Sequence, residues 1–468
     1  MSATILNTGD EGVLQEGALE IVRDLAEAGH RALWAGGCVR DLLIGWRPKD
    51  FDIATDADPS DVVALFSAKT QMRARYVGEA FGVVRVESAK GIYEVARFRT
   101  EGDYQDGRHP KTVAPASEVE DATRRDFTVN GMFYDPQTDQ VIDYVHGQRD
   151  VERKVIRAIG RPEDRFEEDH LRMLRAVRFA CRLNWPIDPK TFSAIRVLAD
   201  RVGRISQERI RDELVLILTE GGAPLGVRFL IDSGLGSSVM PEILEMEGVR
   251  QPPRFHPEGD VLTHTQIMLA RMESPNPELA FGVLLHDVGK PSTSEMLDRI
   301  RFNHHVKVGT AMTETICRRL RMSNEQVEHI TELVASHHRF ANVQEMRPST
   351  LKRFLRTHRF EDHLELHRLD CLSSHRRFDS YNFCVEALAN LAPDEIRPKP
   401  LITGDDLIEL GYAPDPSFKA ALSEVKERQL DGALTGAEEA LLLAQEILDR
   451  EKRSDSEVKA SHHSADSQ

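Results

Sequence analysis

The stretch Gly36–Ala57, GGCVRDLLIGWRPKDFDIATDA, restricts what this chain can fold into more than any other. The preceding RALWAGGC reads as a strand running into a glycine turn, and a short helical stretch then leads to a strand-like stretch carrying Asp50 and Asp52. These aspartates alternate with Phe51 and Ile53. Residues i and i+2 of a strand share a face, so the two carboxylates project together with Cα atoms ~7 Å apart, and the two apolar side chains turn to the core. Such a pair suits oxygen-preferring divalent ions such as Mg²⁺, which ~3.5–4 Å apart clamp an in-line phosphoryl displacement. Gly36 and Gly37 lack Cβ, so a triphosphate can approach their backbone N–H groups. The following helix offers its positive N-terminus, and Arg40 adds a charge-assisted donor.

The formal net charge of -16 argues against a partner that is itself a polyanion. Screening cuts off charge effects beyond ~8 Å at physiological salt, so a local basic face can act despite that total. Five scattered cysteines without a CxxC pair read as reduced and cytoplasmic. The start, MSATILNTGDEGVLQ, lacks a basic residue before an apolar core, so no secretory signal is expected. No run approaches the ~20 apolar residues of a membrane span.

With 468 residues, several domains are expected. Strands and helices mix up to about residue 147: VVRVES and GIYEVARFRT read as a hairpin around Ala89–Gly91, and QVIDYVHG as a closing strand. From Val151 the apolar spacing turns helical, as at Leu171, Leu174 and Val177, and no second strand-rich region is expected. GGAP at 221–224, PPRFHP at 252–257 and IRPKPLITGDDL at 396–407 read as joints, and the polar tail as disordered. The expectation is an α+β head on an all-helical body.

Further along, EDHLRMLRAVRFACR places Arg172, Arg175, Arg178 and Arg182 on one broad helical face, with Asp169 one turn before. No acid lies between Arg172 and Arg182, so these charges are expected to lack partners and to meet an anion. A third group follows: His264 in HPEGDVLTHT, adjacent His286 and Asp287 in LLHDVGKP, and Asp370 in HRLDCLSSH, with NHHVKVG (His304, His305) and ASHHRF (His337, His338) between.

GGCVRDLLIG with KDFDIAT resembles the head of the bacterial tRNA nucleotidyltransferase/poly(A) polymerase family, within the polymerase β-like nucleotidyltransferases. VGEAFGVVRV, YEVARFRTEGDY, RRDFTVNGMFYDP and EEDHLRMLRAVRFACRL fit in the same order, over roughly the first 240 residues. The resemblance implies a polymerase β-like mixed-sheet head at 15–147, a helical neck at 148–240, an HD domain at 241–395, a C-terminal helical segment at 396–452 and a tail at 453–468. It implies that Asp50 and Asp52 are catalytic and hold Mg²⁺, that Gly37, Arg40 and Arg125 contact the nucleotide, and that Asp169 and Arg172 act as a template for the incoming base. An Asp accepts from cytosine N4 or adenine N6 and an Arg serves cytosine N3 or adenine N1, whereas uracil and guanine present the reverse pattern. Arg175 and Arg178 match the family's further nucleotide-binding arginines. Glu94 is either a third carboxylate or an ion-pair partner. The family commonly has Ala where this chain has Gly131, a departure expected to affect packing rather than chemistry.

The H…HD…D order resembles the HD superfamily of helical phosphohydrolases, which implies a divalent ion such as Ni²⁺, Mn²⁺ or Co²⁺ on His264, His286, Asp287 and Asp370. Addition of C and A to tRNA 3′ ends from CTP and ATP, with release of pyrophosphate, is the expected activity, in the cytoplasm and without a membrane. A poly(A) polymerase or an A-only or CC-only adding enzyme is the alternative; Glu79 and Phe81–Gly82 resemble the tRNA-specific pattern. An HD phosphohydrolase with a nucleotide-binding head is the second alternative, and it would require a spoiled Asp50/Asp52 pair. Oligomeric state is not legible.

Overall fold

The computed structural model describes residues 12–78, 82–102, 113–254, 256–273, 275–296, 298–390, 399–412 and 417–450. Glu79 and Phe81, part of Gly102–Tyr104 and the tail at 453–468 therefore lie outside the described residues. The chain forms two compact units. The first takes residues up to 250 with 260–284 and 312–327; the second takes 251–259, 285–311 and 328 onward.

In the first unit, α1 (Val13–Glu27) is followed by β1 (Ala32–Ala35), α2 (Gly37–Leu43), β2 (Asp52–Thr55), α3 (Pro59–Ser67), β3 (Met72–Gly78), β4 (Val83–Ser88) and β5 (Gly91–Arg97). A short ribbon of β6 (Arg99–Glu101) and β7 (Val113–Pro115) precedes α4 (Glu118–Thr123), β8 (Phe133–Asp135) and β9 (Gln140–Ile142). The sheet order is β3-β4-β5-β2-β1-β8-β9. Only β2 and β5 pair in parallel, so the sheet is mixed, as expected.

Period decides which side chains go inside. Ala18, Ile21, Val22 and Leu25 recur at helical spacing on α1 and join Trp34, Phe51, Ile53, Phe66, Val84, Val86 and Val95 in one core. Leu33, Ala35, Ala54, Phe98 and Phe133 form the core on the other face of the sheet. The strand β1 is thus covered on both sides, which explains its continuous apolar run. Phe51 meets Trp34 edge to face at 4.8 Å. Burial alternates from Asp50 to Ile53 although the regular strand begins only at Asp52: Phe51 and Ile53 are buried, Asp50 and Asp52 exposed.

Helices then dominate: α5 (Gly147–Glu152), α6 (Pro162–Glu168), α7 (Leu171–Leu183), α8 (Pro189–Leu198), α9 (Gln207–Thr219) and α10 (Ala223–Asp232). A Cβ on Gly131 would stand 2.7 Å from Val145 Cγ2 and 2.9 Å from Ile159 Cδ1, so an alanine there must displace two core side chains. Gly131→Ala is expected to cost ~1–3 kcal/mol of stability by overpacking. Urea unfolding checks this: a midpoint equal to wild type would show that the core relaxes freely.

The second unit is largely helical, including Phe360–Ser373, Asp379–Asn390, Gly404–Glu409 and Ser417–Leu430. It has two apolar centres, one around Phe340, Phe354 and Phe360 and one around Leu407, Phe418, Val425 and Leu448. One departure from the all-helical expectation is a hairpin of β10 (Ser294–Met296) and β11 (Ile300–Phe302). Its strands are three residues each and exposed to half-buried, so neither carries the buried alternation by which strands are read.

Candidate active site and metal centre

Register sets the first site. Ala35 pairs with Asp52, so the end of β1, where the chain turns through Gly36 into α2, stands beside the start of β2. Gly36 has φ 76°, and a Cβ there would meet Arg125 Nη1 at 2.9 Å, so the turn requires glycine. Its N–H donates to Met132 O at 3.0 Å. The expectation that both glycine N–H groups face a phosphate is corrected at Gly36: that donor is spent joining β1 to β8.

These elements open a cleft of about 630 Å³. Ten cationic side chains against six carboxylates line it, a local positive excess in a chain of charge -16. Asp50, Asp52, Gly37, Arg40, Arg125, Asp169, Arg172, Arg175 and Arg178 all line this one space. Residues separated by up to 141 positions are thus collected, which spacing alone does not announce. Desolvation, and then the neighbouring Asp50, push the Asp52 carboxyl up to about 6. A carboxylate whose ionised form is disfavoured beside a second one fits a divalent cation. Glu94 pairs in register with Asp52 from β5 but is exposed.

The arginines are not unpartnered, which corrects the reading of the Arg172–Arg182 face. Arg172 donates to Glu168 at 2.5 Å, and to Arg165 O and Arg124 O at 3.2 and 3.0 Å. Arg175 binds Asp126 at 2.8 Å, Arg178 pairs with Glu213 at 3.2 Å, and Arg182 donates to Asp41 at 3.2 Å. Glu168 stands one turn before Arg172 at the end of α6, and the other acids come from α2, α9 and the RRDF segment, so a search for acids between the arginines could not find them. Burial pushes the Glu213 carboxyl up. For Asp126, burial works to raise the carboxyl, but Arg175 and Arg172 outweigh it and hold it below the usual range. Arg40 is buried and donates to Asp41 at 2.6 and 2.8 Å and to Asn130 Oδ1 at 2.6 Å. Arg125 donates to Asp121 at 2.9 Å and lies over Phe133. Phe179 carries three guanidinium groups over its ring, from Arg40, Arg175 and Arg178, at 4.6–5.3 Å.

Asp169 departs from the helix before α7, with φ -139° and ψ 107°. It accepts the Leu171 N–H at 3.0 Å and the Arg209 Nη2 at 2.8 Å. Arg209, on α9, also lines the cleft, and sequence reasoning missed it. Its signal in the sequence was weak: one of two arginines in SQERIRDEL, on a helix rich in charge.

In the second unit, Asp287 is buried in a nest of nitrogen donors. Its Oδ2 lies 2.7 Å from Lys290 Nζ and 3.1 Å from His286 Nε2, and Lys290 also donates to Gln251 at 2.6 Å. Its Oδ1 has no hydrogen-bond partner and lies 3.9 Å from both His305 Nε2 and His337 Nε2, which are also buried and unbonded. The far nitrogens of both rings are held by Phe302 O and Val334 O at 2.8 and 2.6 Å, so Nε2 faces the carboxylate. A close backbone crossing makes this possible: a Cβ on Gly289 would fall 2.3 Å from His305 O. Burial pushes His337 well down and His305 down. Burial works to raise Asp287, but His286 and Lys290 outweigh it and hold it well below the usual range. Neutral imidazole and ionised carboxylate are the forms that bind a metal. His305, His337 and His338 can share one ion. Asp370 lines the adjoining 680 Å³ cavity with His305, His337 and His338. His264 is fully buried on the helix Val261–Ala270, within the first unit. Sequence reasoning gave His305 and His337 lesser parts than the geometry does, because a histidine near a helix end carries no mark of its direction.

Family models match this chain as a poly A polymerase head domain over residues 32–157, a probable RNA and SrmB-binding site of polymerase A over 184–246, and an HD domain over 260–364. Segments like a poly A polymerase head, an RNA-binding region of polymerase A and an HD domain thus follow one another along this chain. It is 35% identical over 268 residues to the CCA-adding enzyme of Lactobacillus johnsonii, covering 56% of this chain and 65% of that one. It is 42% identical over 219 residues to the CCA-adding enzyme of Bacillus subtilis, covering 47% and 54%. Poly(A) polymerase I of Haemophilus influenzae is 35% identical over 238 residues, covering 48% and 51%. The chain thus spans about half to two thirds of the length of the curated relatives it matches. Among solved structures it resembles the Bacillus stearothermophilus CCA-adding enzyme in complex with CTP, with TM-score 0.70, 25% identity and coverage of 94% and 99%.

Proposed function

We propose that this protein is a tRNA nucleotidyltransferase that adds C and A to the tRNA 3′ end from CTP and ATP. The observation that carries this reading is one net-positive cleft holding Asp50, Asp52 and Asp169 together. Mg²⁺ ions on Asp50 and Asp52 would supply activation of the attacking hydroxyl and neutralisation of the leaving pyrophosphate. Arg125, Arg175 and Arg178 give the triphosphate charge-assisted donors, exchanging part of their pairing with Asp121, Asp126 and Glu213 for phosphate oxygens. Gly37 leaves room for close approach, and Arg40 braces the RRDFTVN segment through Asn130. Asp169 accepts from the exocyclic amine of C or A, and Arg172 is the proposed donor to the ring nitrogen. The relatives named CCA-adding enzyme support this reading, as does the solved likeness holding CTP. Relatives named poly(A) polymerase I support the poly(A) polymerase alternative.

The test supplies single labelled nucleotides to tRNA transcripts lacking one, two or three of the terminal CCA nucleotides. Ordered addition of C, C and A is expected; A addition to every end would establish a poly(A) polymerase instead. Asp169→Ala is expected to raise the UTP:CTP incorporation ratio by about tenfold or more, since a good bidentate contact discriminates by ~1–3 kcal/mol. An unchanged ratio would place base selection elsewhere.

A second reading concerns the second unit. Three buried atoms lack partners: Asp287 Oδ1, with His305 Nε2 and His337 Nε2 each 3.9 Å from it. Such atoms are costly unless a ligand satisfies them. We infer a divalent metal there, with Asp370 and His338 beside it and His286 next to the same carboxylate. Such an ion would supply an acidified water for hydrolysis of a phosphomonoester or a 2′,3′-cyclic phosphate at an RNA end.

A further inference from the structure

The carboxylate proposed to read the base is not held by the arginine beside it. On a helix, Asp169 and Arg172 would be neighbours at i and i+3. The chain leaves helical geometry at Asp169, and the Arg172 guanidinium instead goes to Glu168, Arg165 O and Arg124 O. The Asp169 carboxylate is fixed from two other directions. The Leu171 N–H donates to Oδ1 at 3.0 Å, and Arg209 Nη2 donates to Oδ2 at 2.8 Å. The first bond is local and turns with the backbone. The second reaches 40 residues along the chain to α9 and is the one that ties the carboxylate to the cleft wall.

Arg209 is itself three-quarters enclosed, and its Nη1 is buried without a hydrogen-bond partner. An orphaned guanidinium N–H is costly. The arrangement makes sense if the guanidinium is held there for its bond to Asp169. A planar, permanently charged fork fixes a carboxylate's rotation better than a flexible ammonium does.

We propose that Arg209 is a positioning residue for base selection: it aims the Asp169 carboxylate at the exocyclic amine of the incoming base. This rests on the reading that Asp169 discriminates among bases. Arg209 touches neither the triphosphate nor the reacting atoms in this account; it acts through Asp169. A carboxylate free to rotate would still accept a hydrogen bond but would no longer reject the carbonyl of uracil at one fixed point.

The experiment measures UTP:CTP incorporation by the full chain for wild type, Asp169→Ala, Arg209→Gln and Arg209→Lys, with a tRNA substrate awaiting C. Arg209→Gln is expected to raise the ratio about tenfold. Arg209→Lys, which keeps the charge and loses the fork, is expected to fall between wild type and Gln. Should Arg209→Gln fail to fold, the Lys variant decides, with a ratio at least about twice wild type expected. An equal fall in both incorporations, leaving the ratio at its wild-type value while Asp169→Ala still shifts it, overturns the proposal and leaves the role of Asp169 standing. A ratio unmoved by Asp169→Ala overturns the underlying reading, and this proposal with it.

Discussion

Asp52→Asn is expected to lower addition of C and of A together by about a thousandfold or more, equivalent to at least ~4 kcal/mol of transition-state stabilisation. In the proposed reaction both additions use the one cleft that holds both carboxylates, so no mutation at this position should separate them. Asparagine keeps the shape and loses the charge that binds a hard cation. The fold should survive. Desolvation and Asp50 already raise the Asp52 carboxyl to about 6, so its ionised form is strained in the native state. A neutral side chain relieves that strain, and the melting temperature near neutral pH should equal or exceed that of wild type. Active sites commonly carry such a cost in stability. Single-turnover incorporation of labelled CTP and ATP, beside a thermal melt and a tRNA-binding assay, measures all three quantities. Substantial incorporation of either nucleotide by Asp52→Asn would remove the carboxylate pair from the chemistry.

Asp287→Ala should have the reverse pattern. The second unit should lose the divalent metal inferred for it and any phosphoester hydrolysis, while nucleotide addition continues. Asp287 gathers Lys290, His286, His305 and His337 about one buried carboxylate. Removing it also leaves the Lys290 ammonium with a lost partner, and breaking a buried pair costs ~3–5 kcal/mol. Asp287→Asn, which keeps an acceptor toward Lys290, therefore separates loss of metal from loss of fold. Metal content after dialysis, and hydrolysis of a 2′,3′-cyclic nucleotide with Ni²⁺, Mn²⁺ or Mg²⁺ restored after chelation, are the measurements. A wild-type protein that neither retains nor responds to any of these ions would make the histidine cluster structural.

Local periodicity determined a good deal from sequence alone. The alternation Asp50–Phe51–Asp52–Ile53 gives two outward carboxylates and two buried apolar side chains, because a strand has a period of two whatever surrounds it. The spacing of Ala18, Ile21, Val22 and Leu25 gives α1 its buried face for the corresponding reason. Gly36 had to mark a turn, since its left-handed φ excludes most side chains.

Apart from the local pair of Arg172 with Glu168, tertiary structure decided the partners. The arginines of α7 find acids on α2, α9 and the RRDF segment, and Asp169 finds Arg209 forty residues away. His305 and His337 turn toward Asp287 because backbone carbonyls hold their far nitrogens and Gly289 lets the backbone cross close to Gly309. The Gly36 N–H was lost to Met132 O in the same way, through strand pairing. Spacing along a chain fixes which face a side chain occupies. It does not fix what stands opposite, because a charge or a donor is satisfied by whichever group the fold brings within about 3 Å, and sequence distance has no bearing on that.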